Sequence, residues 1–192
     1  MTEEIELPKA NLTYDSQFLD ADFSQKLFKE LYTQTNWIQE PIKIFGKEMM
    51  QPRLTHLFGE KSYSYSNIKM DPEPFPEMLQ QLKNKLENFT KSTFNVCLVN
   101  LYRDGQDSMG WHSDDEKELG KNPTIASISL GGERMFHLQH KTKKELKQKL
   151  VLAPGSLLIM AGETQHFWKH QLPKTKKKVA PRINLTFRQI ID

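Results

Sequence analysis

The sequence predicts helices first and then an antiparallel β barrel or jelly roll, and three observations carry that prediction. From Phe94 onward, short runs rich in apolar and β-branched residues follow one another with Gly or Pro between most of them. No helical period separates those runs, so the strands are joined by turns. Before Phe94 the period is different: Phe75, Leu79, Leu82, Leu86 and Phe89 recur at steps of three and four, the mark of an amphipathic helix. The length of 192 residues suits a single domain.

In chain order, residues 1–20 are mixed in character and are expected to form an irregular arm. Asp22 or Ser24 is placed to cap a helix in which Phe23, Leu27, Phe28 and Leu31 lie on one face. Residues 41–68 hold short β-prone pieces between Pro41, Gly46, Pro52 and Gly59, which predicts hairpins. The helix over 75–90 follows a cluster of prolines. The predicted strands are then Phe94–Tyr102, Thr124–Leu130, Met135–Gln139, Val151–Met160, His166–Leu172 and Ile183–Phe187.

Composition narrows the classes. Charged residues make up 27% and the mean hydropathy is -0.65, yet eleven Phe, five Tyr and three Trp are enough for a core. A single cysteine, Cys97, excludes a disulfide framework and a Cys-rich zinc site. The longest apolar run, Leu157–Ala161, is too short for a bilayer, and the acidic start is unlike a secretory signal. A soluble intracellular protein with no membrane partner is expected. The net charge is only +3, but Lys141–Lys149 holds five lysines and Lys174–Lys178 four. Such runs are solvated loops or surfaces for a polyanion.

The chemistry begins at Trp111-His112-Ser113-Asp114. In an extended segment His112 and Asp114 share a face and can meet one ion. His166 and His170 are four apart in a segment that reads as a strand, so either could supply a third ligand. Two His and one carboxylate on one side of an ion leave the other positions open, as in non-haem Fe(II) oxygenases. Surface or hydrogen-bonded histidines are the plain alternative. In the C-terminal strand Arg182, Asn184, Thr186 and Arg188 alternate with Ile183, Leu185 and Phe187. If the apolar face meets the core, the polar face looks into a cavity with two guanidinium groups. Buried arginines need anions, and their fork fits a carboxylate, so the face suits a dicarboxylic cosubstrate. Asn100 and Tyr102 alternate with Val99 and Leu101 on the strand leading to His112.

Taken together, Asn100-Leu101-Tyr102-Arg103-Asp104-Gly105, Trp111–Glu116, Phe167–Pro173 and Ala180–Arg188 resemble the AlkB family of Fe(II)- and 2-oxoglutarate-dependent dioxygenases. The similarity runs in order from about Pro41 to Arg188. It implies a mainly β fold, a double-stranded β-helix (jelly-roll) core with the N-terminal helices outside. One domain, 1–192, would comprise an arm and helix (1–40), substrate-recognition hairpins (41–70), a helix (71–93) and the catalytic core (94–192). By position, His112, Asp114 and His170 would hold iron. Arg182 would pair with the distal carboxylate of 2-oxoglutarate, with Arg188, Asn100, Tyr102 and Asn184 in the same cavity.

The activity implied is oxidative demethylation of 1-methyladenine and 3-methylcytosine, with O2 consumed and formaldehyde and succinate released. The partner would be alkylated DNA met by a monomer, in the cytoplasm of a bacterium or the nucleus of a eukaryote. Tyr63 and Tyr65 would stack the cationic base, and Asp115, ahead of Glu116, would accept from its exocyclic amine. Phe45, between Ile44 and Gly46-Lys47, resembles the wedge of duplex-acting members. Arg134 matches a position near substrate in some relatives, while Arg53, Lys47 and Lys174–Lys178 could bind phosphates. Three other readings compete: the same chemistry on RNA, an oxygenase of proteins or small molecules, and a non-catalytic binding module.

Overall fold

The structure, a computed structural model, describes residues 2–44, 47–65 and 68–191; at 43, 44, 47, 64, 65, 68 and 69 it describes the backbone path alone. The chain runs through β1 (Thr2–Ile5), β2 (Asn11–Asp15), α1 (Ala21–Gln34), β3 (Pro41–Ile44), β4 (Lys47–Met50), β5 (Leu54–Gly59), β6 (Tyr63–Tyr65) and β7 (Ile68–Met70). It continues with α2 (Glu77–Thr90), β8 (Val96–Tyr102), β9 (Met109–His112), β10 (Ile125–Gly131), β11 (Arg134–His140) and β12 (Lys147–Leu152). The last elements are β13 (Leu157–Ala161), the single turn α3 (Thr164–Phe167), β14 (Trp168–Leu172) and β15 (Arg182–Arg188).

Two antiparallel sheets form the jelly roll. The major sheet has the order β1-β2-β13-β10-β15-β8-β5 and the minor sheet β12-β11-β14-β9. Strand period two divides the major sheet's side chains into two sets. Cys97, Val99, Leu101, Ile183, Leu185 and Phe187 face Leu27 and Leu31 of α1 and Leu79, Leu82 and Leu86 of α2. Leu98, Leu158 and Met160 face the other way, toward Leu138, Leu152 and Trp168 of the minor sheet. The helices therefore cover one face of the major sheet, and the space between the sheets is left for a second core and the site. A close approach fixes one end of that space. Gly131 has φ +78, and a Cβ there would lie 2.5 Å from the Pro181 carbonyl oxygen. Only glycine fits, and the contact keeps Gly131 in register with Arg182.

Several local expectations change. The cap of α1 is Asp20, whose carboxylate accepts from the Phe23 N–H at 2.8 Å, rather than Asp22 or Ser24. Residues 2–15 are not an irregular arm: β2 pairs with β13 and β1 with β2. Their sequence shows no strong alternation, so the free edge of β13 decides the strand. Val151–Met160 is two strands, β12 and β13, in different sheets, broken at Pro154-Gly155 where Gly155 has φ +76. The region 41–70 contains the predicted hairpins, β3–β4 and β6–β7, but β5 between them joins the major sheet beside β8. No helix among the described residues is long and apolar enough to cross a membrane.

Candidate active site

His112 ends β9 and His170 lies on β14; the two are direct cross-strand partners, with ring centroids 4.2 Å apart. Asp114 follows two residues after His112. Its Oδ1 is 3.8 Å from His112 Nε2, and one ligand atom from each of the three side chains lies within 4.8 Å of the others. His166 is not part of this group. It sits in α3, where its Nε2 meets Asn122 Oδ1 at 3.0 Å, because the chain makes a helical turn before β14 begins at Trp168. Period two put 166 and 170 on one face only if both lay in the strand.

The electrostatics prepare the three groups for a cation. Burial, then the positive field of His112, holds His170 down to about 3, and burial likewise lowers His112, so both imidazoles are neutral lone-pair donors. Burial works to raise Asp114, but Arg188, His170 and His112 outweigh it and hold the carboxyl at about 2. Arg188 Nη2 meets Asp114 Oδ2 at 3.1 Å, while Oδ1 is buried without a hydrogen-bond partner. An unmet carboxylate oxygen beside two neutral imidazoles fits a divalent ion.

The polar face of β15 looks into the same pocket, between the sheets, as the alternation predicts. Arg182 is buried; its Nη2 donates to Ser129 Oγ at 2.9 Å and its guanidinium lies 5.5 Å from the Tyr102 ring centre. Its Nε, and Nε and Nη1 of Arg188, are buried with no partner. Burial, partly offset by Tyr102, lowers Arg182 to about 10, so it remains charged at neutral pH. Arg53 also lines the pocket, its Nε donating to Asn100 Oδ1 at 2.8 Å. Buried unmet N–H groups on arginines call for an anion, and a dicarboxylate fits them. Met109, Phe136, Met160 and Leu172 form the apolar wall.

Other predicted residues stand as follows. Asn184 gives its amide to Ser127 Oγ and the Ile128 carbonyl, so its donors are spent within the fold. Tyr63 is fully buried, and the Arg188 guanidinium, 5.3 Å from its ring centre, occupies the face expected to stack a base. Asp115 is exposed and paired with Lys141 at 2.8 Å. Glu116 is the inward acid: burial and then Asp114 raise its carboxyl. Arg134 is buried, donating to the carbonyls of Asp104, Asp107 and Pro173, and so ties two loops beside Tyr102. Arg53 faces the pocket and not phosphates outside it. Phe45 and Gly46 lie outside the described residues, as do the side chains of Lys47 and Tyr65.

Sequence reasoning missed Gln165 and the serines of β10. Ser127 and Ser129 alternate with Ala126, Ile128 and Leu130 as β15 does, a signal open to reading. Gln165 carries no such signal. It is fully buried in α3, and its Oε1 accepts from the Asp114 N–H at 2.9 Å, orienting the carboxylate's backbone. Gln165→Ala is expected to weaken metal binding roughly tenfold or more, as loss of a supporting hydrogen bond does elsewhere. Titration of the apoprotein with Mn(II) would measure it, and an unchanged dissociation constant would contradict the role.

A His–carboxylate–His face opening into a cation-lined pocket of a jelly roll defines the class of a non-haem iron oxygenase. The 2OG-Fe(II) oxygenase superfamily matches residues 11–188. Bovine (Bos taurus) alpha-ketoglutarate-dependent dioxygenase alkB homolog 3 is 42% identical over 182 residues, covering 90% of this chain and 64% of that protein. Human (Homo sapiens) DNA oxidative demethylase ALKBH2 is 36% identical over 180 residues, covering 88% of this chain and 69% of that protein. The chain belongs to the AlkB family of 2OG-Fe(II) oxygenases. It spans 64% of the length of the bovine and human alkB homolog 3 proteins. A structure titled "The structure of OsALKBH1" superposes with a TM-score of 0.69 over 96% of this chain and 99% of that one; at 19% identity it attests the fold alone. The family's two cofactors, Fe(II) and 2-oxoglutarate, fit the donors described above.

Proposed function

We propose that the chain is an Fe(II)- and 2-oxoglutarate-dependent demethylase of N-alkylated bases in DNA, acting as a monomer in direct-reversal repair. The observation that carries the reading is the cluster of His112, Asp114 and His170 beside two buried arginines with unmet N–H groups. Its choice of DNA draws on the relatives of 36% identity whose name is DNA oxidative demethylase.

When bound, Fe(II) and 2-oxoglutarate would supply the oxidation of an N-methyl carbon by O2, with succinate, carbon dioxide and formaldehyde as products. The chain's residues bind, orient and exclude water. His112, Asp114 and His170 would hold the ion. Arg182, supported by Ser129 and flanked by Tyr102, would receive the distal carboxylate, and Arg188, paired with Asp114, would offer its remaining N–H groups to the cosubstrate. Asn100, held by Arg53, borders the same space. Met109, Phe136 and Leu172 keep the reacting centre dry.

1-Methyladenine and 3-methylcytosine suit this site because both are cationic and lack a pairing edge, so they leave the stack at low cost. Glu116 and Asp115 offer carboxylates to the exocyclic amine. Tyr63 acts from behind Arg188, and Tyr65 is the stacking partner. Phe45, carried by Gly46 and Lys47, fills the gap left by the base. Arg134 shapes the rim through the loops it ties, and Lys174–Lys178 meets phosphates. The test is incubation with Fe(II), ascorbate and 2-oxoglutarate on DNA and RNA strands bearing one 1-methyladenine, read by mass spectrometry. Methyl loss from DNA, absent without 2-oxoglutarate, is expected. Turnover of 2-oxoglutarate with no methyl loss would redirect the search to a protein or small molecule.

A further inference from the structure

The outer face of the minor sheet takes no part in the site above. Three of the nine exposed large apolar side chains among the described residues lie on it: Trp111, Met135 and Val151. The pairing registers set out two rungs across this face. One is Lys147, Gln139 and Lys169, leading to Trp111, whose ring centre is 5.0 Å from Lys169 Nζ. The other is Lys149, His137 and Gln171, with Gln171 Nε2 3.3 Å from His137 Nδ1 and the Trp111 and His137 ring centres 6.5 Å apart. Met135 and Val151 pair on the next rung and border a groove whose rim carries Lys174, Lys177 and Lys178 against Glu133. The face and its rim thus set six lysines, Lys147, Lys149, Lys169, Lys174, Lys177 and Lys178, against Glu133.

An open antiparallel sheet that presents an aromatic ring among amides and cations is a platform for single-stranded nucleic acid. Bases stack on the ring and phosphates meet the lysines. Lysines on the edge strand β12 also discourage strand addition, which accounts for Lys147 and Lys149 but not for Lys169 and Trp111 on β14 and β9. We propose that this face is a second nucleic-acid surface, holding two or three nucleotides of the single strand with a base against Trp111 and phosphates along Lys147, Lys149 and Lys169; it rests on the reading of the chain as acting on nucleic acid. β9 is the open edge of the minor sheet, and Trp111 and His112 are neighbours on its two faces. A strand lying on the platform therefore arrives beside the iron site.

The test uses the full chain and a labelled, undamaged oligothymidine of about twenty nucleotides, titrated by anisotropy at several salt concentrations. Lys147→Glu/Lys149→Glu is expected to weaken binding about tenfold and to make the log–log salt dependence shallower by about 1.4. Trp111→Ala is expected to weaken it at least fivefold while Trp111→Phe, which keeps a stacking face, restores most of the affinity. Turnover of a methylated trinucleotide, too short to reach the face, should be unchanged in the lysine variant. If the enzymatic reading fails, no strand is demethylated, yet the anisotropy still reads the surface. Unchanged binding and salt slope in both variants would overturn the proposal. So would equal competition by base-free polyphosphate with Trp111→Ala behaving as the parent, which would mark a surface for an acidic protein.

Discussion

Asp114→Ala is expected to abolish Fe(II) binding and all 2-oxoglutarate turnover, and also to destabilise the apoprotein far more than His170→Ala does. Both substitutions remove a ligand, but Asp114 has a second task. Its Oδ2 is the partner of Arg188, a guanidinium that burial would lower and that Asp114 raises well above the usual arginine value. Deleting the carboxylate leaves that cation buried and unpaired, which costs about 3–5 kcal/mol. For a chain of this size that is roughly 10 °C in Tm. His170→Ala leaves no unpaired charge, so its apoprotein should melt nearer the parent. Mn(II) titration and thermal unfolding of the metal-free proteins measure the two effects separately. Equal melting temperatures for the two variants would show that the Arg188–Asp114 pair is not what the carboxylate contributes to folding.

Arg182→Met is expected to have opposite effects on stability and function. In the absence of cosubstrate, the guanidinium is buried with an unmet Nε, and its Nη2 donates to Ser129 Oγ. Replacing such a group by an apolar side chain of similar length is often neutral or stabilising. The apoprotein should therefore melt at or above the parent's temperature. Binding of 2-oxoglutarate, by contrast, loses a buried charge partner worth about 2–5 kcal/mol, or roughly 30- to 4,000-fold in affinity. The KM for 2-oxoglutarate should rise accordingly, and the stabilisation that Mn(II) plus 2-oxoglutarate gives the parent should vanish. A variant that melts lower but keeps its 2-oxoglutarate affinity would make Arg182 a structural residue.

The two variants draw on different kinds of information. The alternation of β15 could be read directly, because period two assigns side chains to faces without any knowledge of the partner strands. The same holds for Leu79, Leu82 and Leu86 of α2, which recur at the helical period and are buried together. What the chain does at its punctuation was less legible. The break that separates β12 from β13 lies at Pro154-Gly155, inside the single strand predicted over Val151–Met160, and the two sheets' separate pairing divides it. His166 and His170 differ by a turn of helix that four residues of sequence do not announce.

The His112–Asp114 pair and the arginine-bearing face were determined by the sequence alone, since both follow from residue type at fixed local spacing, whereas the choice of His170 over His166 was not. Tertiary structure decided which side chains those groups meet. Gln165 behind Asp114, Arg53 on Asn100 and Arg188 over Tyr63 join residues 51, 47 and 125 positions apart. It also turned Glu116 inward and Asp115 out to Lys141, although the two are adjacent and alike in charge. The reason is physical: a local period says which way a side chain leaves its own backbone, whereas desolvation and pairing depend on the neighbours that long-range strand registers bring to it.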